Sequence, residues 1–108
     1  MFIERLKRKV ERENLWFFIL ILLMDGESHA YVLRERVQKR FGFWGGQVTA
    51  YRVLYTLEKE GCVEAIKKDD RRVYYRITTK GRDLVDKATD YFKKLALKEL
   101  KRLKEKNE

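Results

Sequence analysis

QVTAYRVLYTLEKEGCVEAIKKDDRRVYYRI, residues 47–77, changes its periodicity part-way along. Over Gln47–Glu60 the apolar residues Ala50, Val53, Leu54 and Leu57 recur at three- and four-residue steps, the spacing of one helix face, and Gly61 supplies the stop. At about 100° per residue Val48, Arg52, Tyr55 and Lys59 fall on the opposite side, flanked by Thr49 and Tyr51. A merely solvated face is ordinarily a wall of Glu and Lys; this one carries two tyrosines and an arginine. Beyond Gly61 the runs Cys62–Lys68 and Arg71–Ile77 are β-branched and aromatic, joined by Asp69-Asp70, which predicts a hairpin. Period two puts Val73, Tyr75 and Ile77 on one hairpin face and Arg72, Tyr74 and Arg76 on the other.

Upstream, Ser28 is the expected N-cap of a helix with Ala30, Leu33, Val37 and Phe41 along one side, ended by Gly42-Phe-Trp-Gly-Gly46. Leu15–Met24 is an unbroken apolar run of ten residues, about half of what a bilayer crossing needs, and reads as a buried core helix. Acidic residues precede that run and Asp25-Gly26-Glu27 follows it, so it does not read as a signal peptide. The segment from Met1 to Asn14 carries a narrow stripe of Phe2, Ile3, Leu6 and Val10 that needs a surface to pack on. Downstream, Thr78 or Thr79 can cap a last helix bearing Leu84, Val85, Ala88, Tyr91, Phe92, Leu95, Leu100 and Leu103. Some 28 residues at 1.5 Å each span about 40 Å, more than a domain this small covers, so the stripe implies a partner helix.

The resulting order is helix, helix, turn, helix, hairpin, long helix. It predicts a mainly α (α+β) winged helix-turn-helix with a two-stranded β-wing, in which the third helix enters the DNA major groove and the wing rests on the backbone. Residues 1–78 form the DNA-binding unit and 79–108 a dimerisation helix, with no linker between them. Phe2, Ile3, Leu6 and Val10 with Leu84, Ala88, Tyr91, Phe92, Leu95 and Leu103 are the expected homodimer contacts.

The 108 residues include no proline, a single cysteine, Cys62, and a single histidine, His29. These exclude a disulfide framework, a Cys/His zinc site and a Cys/His nucleophile pair, so neither an enzyme nor a metal or other cofactor is expected. His29 reads as a backbone-bonding residue and Cys62 as a small core hydrophobe. A cytoplasmic protein, with no membrane contact, is the expectation.

Lysine and arginine number 26 against 17 acidic residues, a formal charge of +9. The surplus is uneven. Residues 61–78 hold five basic against three acidic residues, whereas 79–108 hold ten against six, away from where DNA would lie. Net charge alone therefore argues weakly for nucleic acid. The layout argues better: Gln47, Thr49, Arg52 and Tyr55 stand nearest base edges, with Val48 on the same face, and Lys67, Lys68, Arg71, Arg72 and Arg76 supply the wing's positive charge. A protein-binding winged helix and a nonspecific architectural DNA-binding protein are the alternatives. Trp16 and Trp44 read first as core residues, and second as the lining of a pocket for a planar aromatic effector.

Three segments also resemble the PadR family of transcriptional regulators: Leu20–Tyr31 with its Ser-His-Ala-Tyr, Thr49–Val63, and Arg72–Gly81 with its Tyr-Tyr-Arg-Ile-Thr-Thr-Lys-Gly. The likeness extends over about residues 15–85. Ala30 stands where the family has glycine, Arg52 where many members have proline, and Val48 where glycine or serine usually precedes the threonine. The resemblance implies a homodimeric winged-helix DNA-binding protein, often a repressor, with Tyr51 as the DNA-contacting tyrosine and Lys67, Lys68, Arg71 and Arg72 on phosphate. It also implies that the C-terminal helix exchanges contacts between subunits.

Overall fold

In the computed structural model, which describes residues 1–44, 47–68 and 71–107, five helices surround one small sheet. They run α1 (Phe2–Glu13), α2 (Leu15–Met24), β1 (Ser28–His29), α3 (Ala30–Phe41), α4 (Gln47–Lys59), β2 (Val63–Lys67), β3 (Val73–Ile77) and α5 (Thr79–Asn107). Side chains are described for these residues except Gln47, Val48, Thr49 and Asn107.

The apolar run becomes α2 because neighbouring elements cover most of it. Leu15, Ile19, Leu20, Leu22 and Leu23 are all buried, and α3, α4, α5 and β3 each pack on this helix. Asn14 breaks the chain between α1 and α2, its backbone at φ −119° and its side-chain amide donating to the Val10 carbonyl at 3.0 Å. Leu33 and Val37 of α3, Leu54 and Leu57 of α4, and Ile77 and Val85 complete the core.

One expectation is corrected here. Ser28 does not cap α3. It pairs with Tyr75, and His29 with Tyr74, as a short strand β1, which adds a third antiparallel strand beside the two-stranded wing in the order β1-β3-β2. His29 takes the cap position instead: extended at φ −85°, ψ 157°, its Nδ1 accepts from the Val32 N–H. The cost of leaving the edge of β3 unpaired explains the shift, because the residue before the helix satisfies that strand as well.

At the other end of the sheet Thr78, not Thr79, caps α5. Its Oγ1 accepts from the Gly81 N–H at 3.1 Å and its hydroxyl donates to the Gly61 carbonyl at 2.6 Å. Leu84, Val85 and Ala88 still touch the domain, but every residue from Thr89 to Lys106 is exposed. The molecule measures 62 × 31 × 21 Å, and this projecting helix sets the long dimension.

Candidate nucleic-acid interface

Helix α4 divides as its periodicity predicts. Ala50, Leu54 and Leu57 are buried and Val53 half-buried, while Tyr51, Arg52, Tyr55 and Thr56 lie on the open side. Tyr55 is 68% exposed, which removes the alternative that this tyrosine is core. The Thr56 hydroxyl donates to the Arg52 carbonyl at 2.9 Å, tying up that side chain within the helix. Gln47, Val48 and Thr49 open the helix, but their side chains lie outside the described residues.

The wing projects beside this face. Strands β2 and β3 pair from Val63 opposite Ile77 to Lys67 opposite Val73, and the Lys68 carbonyl accepts from the Arg71 N–H at 2.9 Å to close the turn. Asp69 and Asp70, the turn residues in the sequence reading, lie outside the described residues. Arg71 adopts a left-handed backbone, φ 66°, uncommon for a residue with a side chain.

The five wing cations fall into two groups. Lys68 forms an ion pair with Glu27 and lies 4.6 Å above the ring of Tyr74. The same ring meets the His29 imidazole edge-on at 5.3 Å, and an Arg72 guanidinium nitrogen approaches His29 Nε2 at 3.2 Å. The Lys68–Glu27 ion pair and the Tyr74–His29 ring contact fasten the wing to the start of α3. Arg76 is held across the hairpin by Glu64 at 2.9 Å. Lys67 and Arg71 are exposed and engaged by no side-chain hydrogen bond or ion pair among the described residues. Of the four residues expected on phosphate, Lys67, Lys68, Arg71 and Arg72, the structure leaves Lys67 and Arg71 uncommitted.

Between α3, α4 and β3 lies an open cleft of about 480 Å³, where Tyr51 of α4 and Arg72 of the wing share walls with His29, Tyr31 and Tyr75. Tyr31 and Tyr75 were not among the sequence candidates. Tyr31 had no helical pattern to mark it, although its place directly after the cap residue and Ala30 puts it at the end of α3 nearest the wing. Tyr75 is half-buried, and burial pushes its phenol above the usual tyrosine range, with Glu58 and Tyr51 acting in the same direction. It therefore stays a neutral O–H donor.

Away from this face, Phe2, Ile3, Leu6, Tyr91, Phe92, Leu95 and Leu103 are exposed and Val10 is half-buried. Phe92 is the one anchored to the domain among the aromatics of α5, 5.5 Å from Phe17. The two tryptophans line different spaces. Trp16 borders a groove of about 370 Å³ with Val53, Leu57, Leu84 and Arg52. Trp44 borders a crevice of about 10 Å³, room for no more than a water molecule, and its buried indole N–H finds no partner among the described residues. Among the described residues no group of three His, Cys, Asp or Glu is placed to hold a metal ion, and no helix is long and apolar enough to cross a membrane.

Residues 19–87 match the family model described as the transcriptional regulator PadR-like family. The fold is similar to that of a transcriptional regulator from Clostridium thermocellum, 26% identical, with a TM-score of 0.76 over 87% of this chain and 93% of that one. A PadR-like transcriptional regulator from Bacillus cereus superposes with a TM-score of 0.74 at 23% identity, covering 88% of this chain and 96% of its own. F93 from STIV, a winged-helix DNA-binding protein, gives 0.66 at 20% identity over 78% and 91%. No curated protein matches by sequence. The family match takes in α3, α4 and the whole wing, the elements that build the cleft, and the chain belongs to the PadR-like family of transcriptional regulators, with a winged-helix DNA-binding fold.

Proposed function

We propose that the protein is a cytoplasmic homodimeric repressor that binds duplex DNA sequence-specifically, with α4 in the major groove and the wing on the adjacent backbone. The observation that carries this reading is the outward face of α4, where Tyr51, Arg52 and Tyr55 stand exposed beside a wing whose Lys67 and Arg71 are uncommitted. Lys67, Arg71 and Arg72 bring phosphate-neutralising charge, and Arg52 offers a two-pronged donor suited to a guanine edge. The exposed stripe of α5 supports self-association, and a two-fold dimer presents its α4 helices to half-sites about 34 Å apart or a multiple of that. A planar aromatic effector, if one relieves repression, has room beside Trp16 and none beside Trp44.

The test is a fluorescence-anisotropy titration against the DNA upstream of the protein's own gene and a shuffled duplex, at two salt concentrations. Preference for the upstream DNA with a steep salt slope supports the reading. Equal affinity for both duplexes replaces it with a nonspecific architectural role, and no binding to either replaces it with a protein-binding role. Quenching of tryptophan emission by a planar aromatic compound, with weaker DNA binding in its presence, supports the effector site.

A further inference from the structure

Tyr31 opens α3 with 63% of its surface exposed, and nothing in the described chain covers its ring. It faces the same cleft as Tyr51, Tyr75, Arg72 and His29, and among the described residues no carboxylate lines that space. Three phenols, a guanidinium and an imidazole give a wall rich in hydrogen-bond donors, which suits an oxyanion and not a cation. Of the described acidic residues, Glu27 is paired with Lys68, and Glu58 acts on Tyr75 from α4.

The position of the cleft identifies the anion. With α4 in the major groove and the wing on the flanking backbone, the strand forming the groove wall passes between them, over the first turn of α3. We propose that this cleft seats one backbone phosphate of the bound duplex and that Tyr31, beside Tyr51, is a DNA-positioning residue that donates its hydroxyl to that phosphate.

The inference rests on the DNA-binding reading above and fails separately from it. Tyr31→Phe keeps the ring and removes only the hydroxyl, and an unchanged thermal midpoint verifies that its fold is intact. A hydrogen bond to a charged group is worth roughly 1.5 kcal/mol or more, so the variant is expected to bind about tenfold more weakly for each half-site its dimer occupies. The loss should be equal on the upstream and shuffled duplexes, since a phosphate carries no sequence information. A set of duplexes each bearing one neutral methylphosphonate locates the partner: at one position in each half-site the substitution weakens the wild type but costs Tyr31→Phe nothing further.

Wild-type affinity in Tyr31→Phe overturns the proposal while leaving DNA binding intact. A loss confined to the upstream duplex makes Tyr31 a base contact and overturns the phosphate assignment. A wild type that binds neither duplex overturns both readings.

Discussion

Gly81 lies against the carbonyl of Cys62, so closely that a Cβ added there would meet that oxygen head-on and sit 2.7 Å from Cγ1 of Ile77. Neither neighbour can yield. The Cys62 carbonyl accepts from the Thr78 N–H at 3.1 Å, Ile77 is buried, and Lys80 Nζ donates to the Glu60 carbonyl at 2.6 Å. This junction joins the end of α4, the start of β2 and the first turn of α5. Gly81→Ala is therefore expected to destabilise by about 1–3 kcal/mol, the cost of overpacking a closed site. For a domain near this size that lowers the thermal midpoint by roughly 5–15 °C, measurable by circular dichroism. A shift under about 2 °C would show that the α5 junction adapts without strain.

Arg71 holds a left-handed backbone at the wing turn, a conformation that costs an L-residue on the order of 1 kcal/mol and that asparagine tolerates better. A cation kept there against that cost points to DNA. Arg71→Asn is expected to leave the fold at least as stable while reducing the salt slope of DNA binding by the dimer by about 1.8, one phosphate contact from each subunit. Arg76→Ala is expected to leave that slope unchanged, because Glu64 already neutralises Arg76. An equal reduction from both variants would show that the Glu64 pair opens on DNA.

The sequence made the helices legible because their apolar residues keep one period over several turns, as in Ala50, Leu54 and Leu57. Strand β1 was illegible: two residues hold no periodicity, and Ser28 carries a strong local preference for the cap that only the edge of β3 overrides. Within the site, the outward phase of Arg52 and Tyr55 follows from helical geometry alone. The sorting of wing cations does not, since it depends on Glu27 and His29 reaching the hairpin across more than 40 residues of chain. Tyr31 was hidden for the same reason, its exposure being defined by the cleft and not by its own helix.

Tyr75 makes stability sensitive to alkali. Burial first, then Glu58 and Tyr51, raise its phenol in the folded chain above the ordinary tyrosine value, so the folded state holds the proton more tightly than the unfolded state. Its contribution is complete below the unfolded value and is lost as pH rises through the folded one. Between about pH 9 and about pH 11 the thermal midpoint of the wild type should fall more steeply than that of Tyr75→Phe, which has no phenol to ionise. Parallel curves would mean that the ionised phenol is accommodated in the cleft.

Leu95, Leu100 and Leu103 extend along α5 beyond Ala88, each about half exposed, where nothing in the monomer can cover them. Burying a leucine gains about 1.5–3 kcal/mol, and a two-fold interface counts each position twice. Leu100→Glu removes no contact within the domain, so its effect reports association alone. The wild type is expected to sediment as a dimer of 13.1 kDa chains with a thermal midpoint that rises with concentration, and Leu100→Glu as a monomer with a constant one. DNA affinity should fall with the dimer, because each chain then grips only one half-site. A variant that remains dimeric would transfer the interface to the stripe of Phe2, Ile3 and Leu6 on α1, the other apolar face the domain leaves open.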